Sequence, residues 1–271
     1  MINSFMKFVK RQRIVIFSMV ICIILFQIYH YGYLENMDPI VKRSLSFWDE
    51  LWLFFSGAKY FEIGDTYFVK ELPYIWIVFH SLWFYMIYKE FNLDEYGTSI
   101  QILIREKSRQ KWWKKKWREV QINNIILFFV FIVILKCSNF YNFKNERELL
   151  FNELYLNSHL ITIPENLNFK ILFLRLILLP LLCIITMTSI LSTVELVINK
   201  NMTSYISSFI IMFASLFFDI PILFMNYSMS IRNMNYSKFL VNDALGIVVL
   251  IVLNITMYIF GIVYVRKLDV L

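Results

Sequence analysis

The chain has 271 residues, with 27 Lys and Arg against 20 Asp and Glu, a formal charge of +7, a hydrophobic fraction of 59% and a charged fraction of 17%. Soluble domains carry roughly 45–50% apolar and about 25% charged residues, so a soluble domain of this length would lack the polar surface it needs. Disordered, collagen-like and solenoid chains are excluded by the same figures, by only 6 Gly and 5 Pro, and by the lack of an internal repeat. What remains is an integral membrane protein.

Uncharged stretches run over 14–34, 72–88, 120–135, 176–194, 201–218 and 244–265. A spanning helix takes about 20 residues, with a range of about 17–25. The third run has 16 residues, and the long Lys and Arg stems before it complete the span by snorkelling. No run alternates with period two, which argues against a barrel. The expected fold is an all-α integral membrane protein, a single transmembrane domain over 1–271. Its six transmembrane helices are expected at 14–34, 72–89, 120–138, 169–194, 201–218 and 244–265.

Before the first span, Ile2, Phe5, Met6 and Val9 share one helical face while Lys7, Lys10 and Arg11 lie on others. This predicts an amphipathic elbow helix over 2–12, suited to lying in the membrane interface; a frayed basic tail is the alternative. The apolar run that follows is longer than a signal-peptide h-region and no A-x-A-like site follows it, so the first helix is read as uncleaved. Orientation follows from basic residues, which favour cytoplasmic segments. With the N-terminus inside, the inner segments hold 16 Lys and Arg and the outer segments 8. Both termini are therefore expected in the cytoplasm, in a multi-pass protein of a bacterial plasma membrane, and the net charge is mainly a topology signal.

The outer loops are expected at 35–71 and 139–168, and a semi-polar outer segment at 219–243. F-S-G at Phe55 to Gly57 and E-I-G-D at Glu62 to Asp65 approach the motifs of intramembrane proteases, but both lack the first glycine. The chain has no G-x-x-x-x-G-K-[ST] phosphate loop and no H-E-x-x-H. His30, His80 and His159 are far apart in sequence, and His80 reads as a packing residue. Cys22, Cys137 and Cys183 show no C-x-x-C spacing and read as small buried hydrophobes. Catalysis by this chain alone is not expected, and neither is a cofactor or metal of its own.

Ionisable residues within spans are functional candidates. Arg175 is the deepest, about 9 Å along the fourth helix from Phe169 at 1.5 Å per residue. It is a candidate for a polar path, although an arginine this near a helix end more often snorkels. Pro180 predicts a kink in the same helix, and Asp219 before Pro221 marks the end of the fifth. Four N-x-[ST] sequons, at Asn201, Asn226, Asn235 and Asn254, fall partly on the inner side or inside a span and carry little weight.

The inner loop 90–119 is the most informative segment. Leu93, Tyr96, Ile100, Leu103 and Ile104 recur at helical spacing, with Glu95, Ser99 and Arg105 elsewhere around the axis. That predicts an amphipathic cytoplasmic helix. Trp113, Trp117 and Val120 then continue one face toward the third span, although the next position on that face is Asn124. Trp112, Trp113, Lys116 and Trp117, in a run of basic residues, are expected to anchor the entry at headgroup depth against membrane lipid. Nine bases with five acids in a juxtamembrane loop make a poor nucleic-acid surface.

The same loop carries Gly97-Thr98, Ile102-Leu103, Ser108-Arg109 and Lys116. In this it resembles the permease subunits of ABC transporters of the type-2 exporter group. These carry G-T, two aliphatics, S-R and then K between their second and third helices. Where that family often has Pro two residues before the Ser, this chain has Glu106. The order of elbow, six spans and semi-polar outer segment (219–243, with Asp219, Pro221 and Arg232) is similar across nearly the whole chain. The resemblance implies that the inner helix is a coupling helix seated on a separate ATP-binding cassette subunit, which binds ATP and Mg. It implies contacts from Thr98, Leu103, Ile104, Arg105, Ser108 and Arg109, and a second permease, identical or related, to enclose the path. The implied function is an exporter, with an amphipathic or antimicrobial peptide as the associated substrate. The competing reading is a membrane immunity or sensor protein that only binds a partner.

Overall fold

A computed structural model describes residues 16–28, 47–58, 73–91, 108–138, 169–198, 201–218, 220–234 and 243–267. The regular structure among the described residues is entirely helical. In chain order the helices are α1 (Ile16–Ile28), α2 (Phe47–Phe54), α3 (Tyr74–Phe91), α4 (Arg109–Ser138), α5 (Phe169–Ile198), α6 (Asn201–Phe217), α7 (Ser230–Met234) and α8 (Asp243–Lys267). A 3₁₀ turn over Phe224–Ser228 precedes α7. Three of these segments, Gln110–Ser138, Phe169–Ile198 and Asp243–Lys267, are long and apolar enough to cross a membrane. Ile16–Ile28 and Met202–Phe217 are shorter apolar helices. The elbow at 2–12 and the outer loop 139–168 lie outside the described residues, as do His30, Glu62, Asp65, His159 and Asp219.

The apolar runs place the helices because, without water, every backbone N–H and C=O needs an internal partner. α5 is central: it packs on α3, α4, α6 and α8. Of its most apolar stretch 67% is buried, against 17% for α8, which therefore lies at the periphery. Between Leu174 and Leu178 α5 widens into a π turn, with the Leu179 N–H reaching the Leu174 carbonyl. Pro180 follows directly; it supplies no N–H and crowds the carbonyl four residues back. The disturbance expected from this proline takes the form of the wide turn.

Helix α4 begins at Arg109, eleven residues before the third span was expected to start. The Lys, Arg, Gln and Trp of 109–119 are tolerated well by a helix, and Ser108 occupies the N-cap position, where serine is preferred. Its carbonyl accepts the Trp112 N–H at 3.1 Å. The basic run is thus the first turns of the helix and not a loop. α4 and α8 run antiparallel, with the Trp117 and Tyr258 rings 4.7 Å apart. One turn further, the Trp113 indole occupies the space that a side chain at Gly261 would need.

At the other end of the bundle, α2 tucks its Phe54 ring among Phe26, Phe79 and Phe131, with centroids 4.9–5.2 Å apart. Aromatic pairs at such separations favour tilted and edge-on geometry. The chain then turns at Gly57, whose φ of +72° suits glycine, and Met229 fills the space beside it. The 220–234 segment docks here: Ser230 N–H reaches the Phe55 carbonyl at 2.7 Å and Ile231 N–H reaches Ser56 at 3.1 Å. Phe55-Ser56-Gly57 is therefore a structural turn that receives the α7 segment.

Candidate functional site

The strongest concentration of buried polar side chains is a layer across α3, α4, α5 and α8. Trp83 Nε1 donates to Asn124 Oδ1 at 3.0 Å. Asn124 Nδ2 donates to Thr188 Oγ1 at 3.0 Å and leans toward Gln121 Oε1 at 3.4 Å. Gln121 Nε2 donates to Ser189 Oγ at 2.9 Å, and Ser189 Oγ donates to Asn254 Oδ1 at 2.6 Å. Trp83, Gln121, Asn124, Thr188 and Ser189 are buried. Four helices are thus joined through neutral groups, with no titratable side chain in the chain of bonds. Such interhelical bonds average about 0.6 kcal/mol each in membranes and reach about 1.7. Chemically the layer fixes the rotation of α4 against α3, α5 and α8, and the Thr188 and Ser189 hydroxyls are bonded to amide groups within it.

Sequence reasoning did not single out this layer. Its one signal was Asn124, the polar residue that interrupts the Trp113, Trp117 and Val120 face. Asn254, met as a sequon within a span, belongs to the same network.

Two arginines are buried at the end of the bundle opposite Arg109. Arg175 sits in the π turn, 2% exposed, and its Nε lies 2.7 Å from Asp243 Oδ2. It does not snorkel; it is turned inward, and its partner is the first residue of α8, where the helix dipole also favours an anion. Arg232, 1% exposed, donates to the carbonyls of Ala58 and Leu216 at 2.9 and 2.7 Å. It also bonds the Ser215 carbonyl and Asn226 Oδ1. Ser215 and Leu216 end α6, so Arg232 places a cation on the negative end of that helix. Asn226 adds bonds from Nδ2 to Phe218 and Ile220 at 3.0 and 3.2 Å.

Asp49 and Glu50, in the first turn of α2, are both buried. Loss of solvent, then the neighbouring Asp49, pushes the Glu50 carboxyl up to about 8, against a hydrogen bond from Gln27 that lowers it. Gln27 Nε2 also reaches Ser138 Oγ at 3.3 Å, which ties the region to α1 and the end of α4.

Of the residues tied to a coupling contact, Thr98, Leu103, Ile104 and Arg105 lie outside the described residues. Ser108 and Arg109 open α4. Trp112 and Trp113, expected to anchor the lipid interface, are buried in the bundle at 6% and 1% exposure, and Trp113 packs on Gly261. Close packing of the bundle brings the Trp113 ring into the space left open at Gly261. Lys116 and Trp117 are half-buried. Among the described residues, His80 donates Nδ1–H to the Trp76 carbonyl at 2.8 Å, the three cysteines are free thiols, and no group of three His, Cys, Asp or Glu is placed to hold a metal.

No known protein family, curated protein or solved structure matches this chain.

Proposed function

We propose that this chain is the membrane-spanning subunit of an ABC exporter, driven by a separate ATP-binding cassette subunit and paired with a second permease. In this reading the inner loop 90–119 carries the coupling helix, through Leu93, Tyr96, Ile100, Leu103 and Ile104, on the cytoplasmic side. ATP and Mg are held by the partner ATPase, and the exported substrate is an amphipathic or antimicrobial peptide. Closure of two ATPases draws two coupling helices together and tilts the permease bundles between inward-facing and outward-facing states.

One observation supports the reading above the others. The Ser108-Arg109 pair of the family-like motif opens directly into α4, a helix of 30 residues with no break to Ser138. At 1.5 Å per residue that is a lever of about 45 Å. The segment 92–107 joins α3 to α4, and these two helices are bonded to one another through Trp83 and Asn124. In this reading a push on the segment reaches α3 and α4, which Trp83 and Asn124 bond to one another, and the polar layer passes it on to α5 and α8.

The test is purification of the full chain from its own membrane in mild detergent, with and without ATP and Mg. The expected result is a complex of two permeases with two ATP-hydrolysing subunits. A chain that purifies with a partner lacking ATPase activity points instead to the immunity or sensor reading.

A further inference from the structure

The short helix α2 and the turn after it are where the elements at the Arg175 end of the bundle meet. Phe54 reaches α1, α3 and α4 through Phe26, Phe79 and Phe131. Trp48 meets Phe169 at the start of α5, with ring centroids 5.3 Å apart. The Trp52 carbonyl accepts the Ser230 hydroxyl at 2.9 Å, and the Phe55 and Ser56 carbonyls receive the backbone of the same segment. A helix of 8 residues is marginal by itself, so these contacts, more than its own backbone, hold α2 in its seat.

The first turn of α2 carries a carboxyl into that seat. Glu50 is 8% exposed, and Asp49 beside it is fully buried. Glu50 Oε2 has no hydrogen-bond partner. The Gln27 amide of α1 bonds the carboxyl, and its Nε2 also reaches Ser138 Oγ at the end of α4. On the surrounding elements, Arg175 of α5 pairs with Asp243 of α8, and Arg232 holds the carbonyls of Ala58 and Leu216. His80 of α3 bonds the Trp76 carbonyl, while Lys136 of α4 and Lys170 of α5 are exposed. An ionised Glu50 would be a buried charge beside a second acid, which loss of solvent and like charge both disfavour. These causes, burial first, push the Glu50 carboxyl up to about 8, against the bond from Gln27.

We propose that α2 is a proton-controlled latch on this end of the bundle. The seated helix keeps Glu50 protonated between α1 and α4. When the proton passes to water, the first turn of α2 swings out with the carboxylate and parts Trp48 from Phe169. Phe54 and the Trp52 carbonyl hold the other half of the helix, which confines the movement to that turn. Released, Glu50 returns toward its ordinary value of 4.5. Each pH unit between 4.5 and 8 therefore favours release about tenfold, with no further gain above 8. The inference rests on the seat of α2 and stands apart from the transport reading.

The test is hydrogen exchange of the full chain in lipid nanodiscs from pH 5 to 9, corrected for the intrinsic rate. The amides of 51–54 bond to the first-turn carbonyls and so report on that turn. In wild type their protection falls about tenfold per pH unit up to pH 8 and then levels off. At each pH they exchange more than about tenfold faster than the amides of 121–124 and 186–193, because the turn opens without the bundle. Glu50→Gln, matched in shape to the protonated acid, removes the pH dependence. Asp49→Asn removes a charge that raises Glu50, so the levelling begins at lower pH. Should Glu50→Gln fail to insert, Asp49→Asn carries the test. Protection at 51–54 that ignores pH in wild type overturns the proposal, as does an equal fall in Glu50→Gln. Exchange at 51–54 no faster than in the polar layer also overturns it, since α2 would then open only with the whole bundle.

Discussion

The indole N–H of Trp83 donates to Asn124 Oδ1 at 3.0 Å, between helices whose partners are 41 residues apart in sequence. Asn124 in turn reaches Thr188 and Gln121, so one side chain ties α4 to both α3 and α5. Replacing it with leucine, of similar size, leaves the buried Trp83 N–H without its acceptor. We expect Asn124→Leu to destabilise the bundle by about 1–2 kcal/mol, read as a lower thermal midpoint in detergent. A midpoint equal to wild type would show that the layer contributes nothing to helix registry.

Gly261 is where α8 admits the Trp113 ring. A Gly261→Val substitution has no room for its side chain unless α4 and α8 separate, and overpacking of this kind costs about 1–3 kcal/mol. Adding Trp113→Ala vacates the same space. The double variant is expected to recover part of the loss, which a thermal-melt double-mutant cycle measures as a coupling between the two sites.

Arg175 and Asp243 form a buried to part-buried pair. Removing one partner leaves the other charge uncompensated, which costs about 3 kcal/mol in buried pairs. Arg175→Met and Asp243→Asn should each destabilise strongly, and the combined variant by much less than their sum. Additive losses in chemical denaturation would mean that the pair makes no energetic contribution as a pair.

Glu50 supplies a pH dependence. Its carboxyl is raised from 4.5 to about 8 by burial and then by Asp49, so the folded protein holds a proton that the unfolded chain has already released. The contribution of Glu50 to stability is therefore full below about pH 4.5, falls as pH rises toward 8, and levels off above it. Thermal midpoints from pH 5 to 9 should show this decline in wild type. Glu50→Gln, which cannot lose a proton, should flatten it.

Much of the helical order was legible in the uncharged runs, because hydropathy reports the solvent that each segment prefers. Tyr74, Phe169, Asn201 and Asp243 begin helices within two residues of the expected starts. Hydropathy does not report backbone conformation: the uncharged run begins only at Val120, and the helical face of Trp113, Trp117 and Val120 is the one sign in the sequence that α4 starts earlier, at Arg109. The short α2 escaped for a related reason: eight residues cannot span, yet Leu51, Trp52 and Phe54 are fully buried among longer helices. The polar contacts were less accessible still. Asn124 and Arg175 stand out in the sequence, but Thr188 and Asp243 become their partners only through the rotation and register of packed helices. The inward turn of Trp113 depends on Gly261, 148 residues away in the chain.

The central claim is that the segment joining α3 to α4 couples this bundle to a separate ATPase. The most direct measurement is ATPase association with the full chain carrying Leu103→Asp and Ile104→Asp, compared with wild type at equal membrane expression. The account predicts that the variant inserts normally and loses the ATPase subunit. Undiminished association would contradict it.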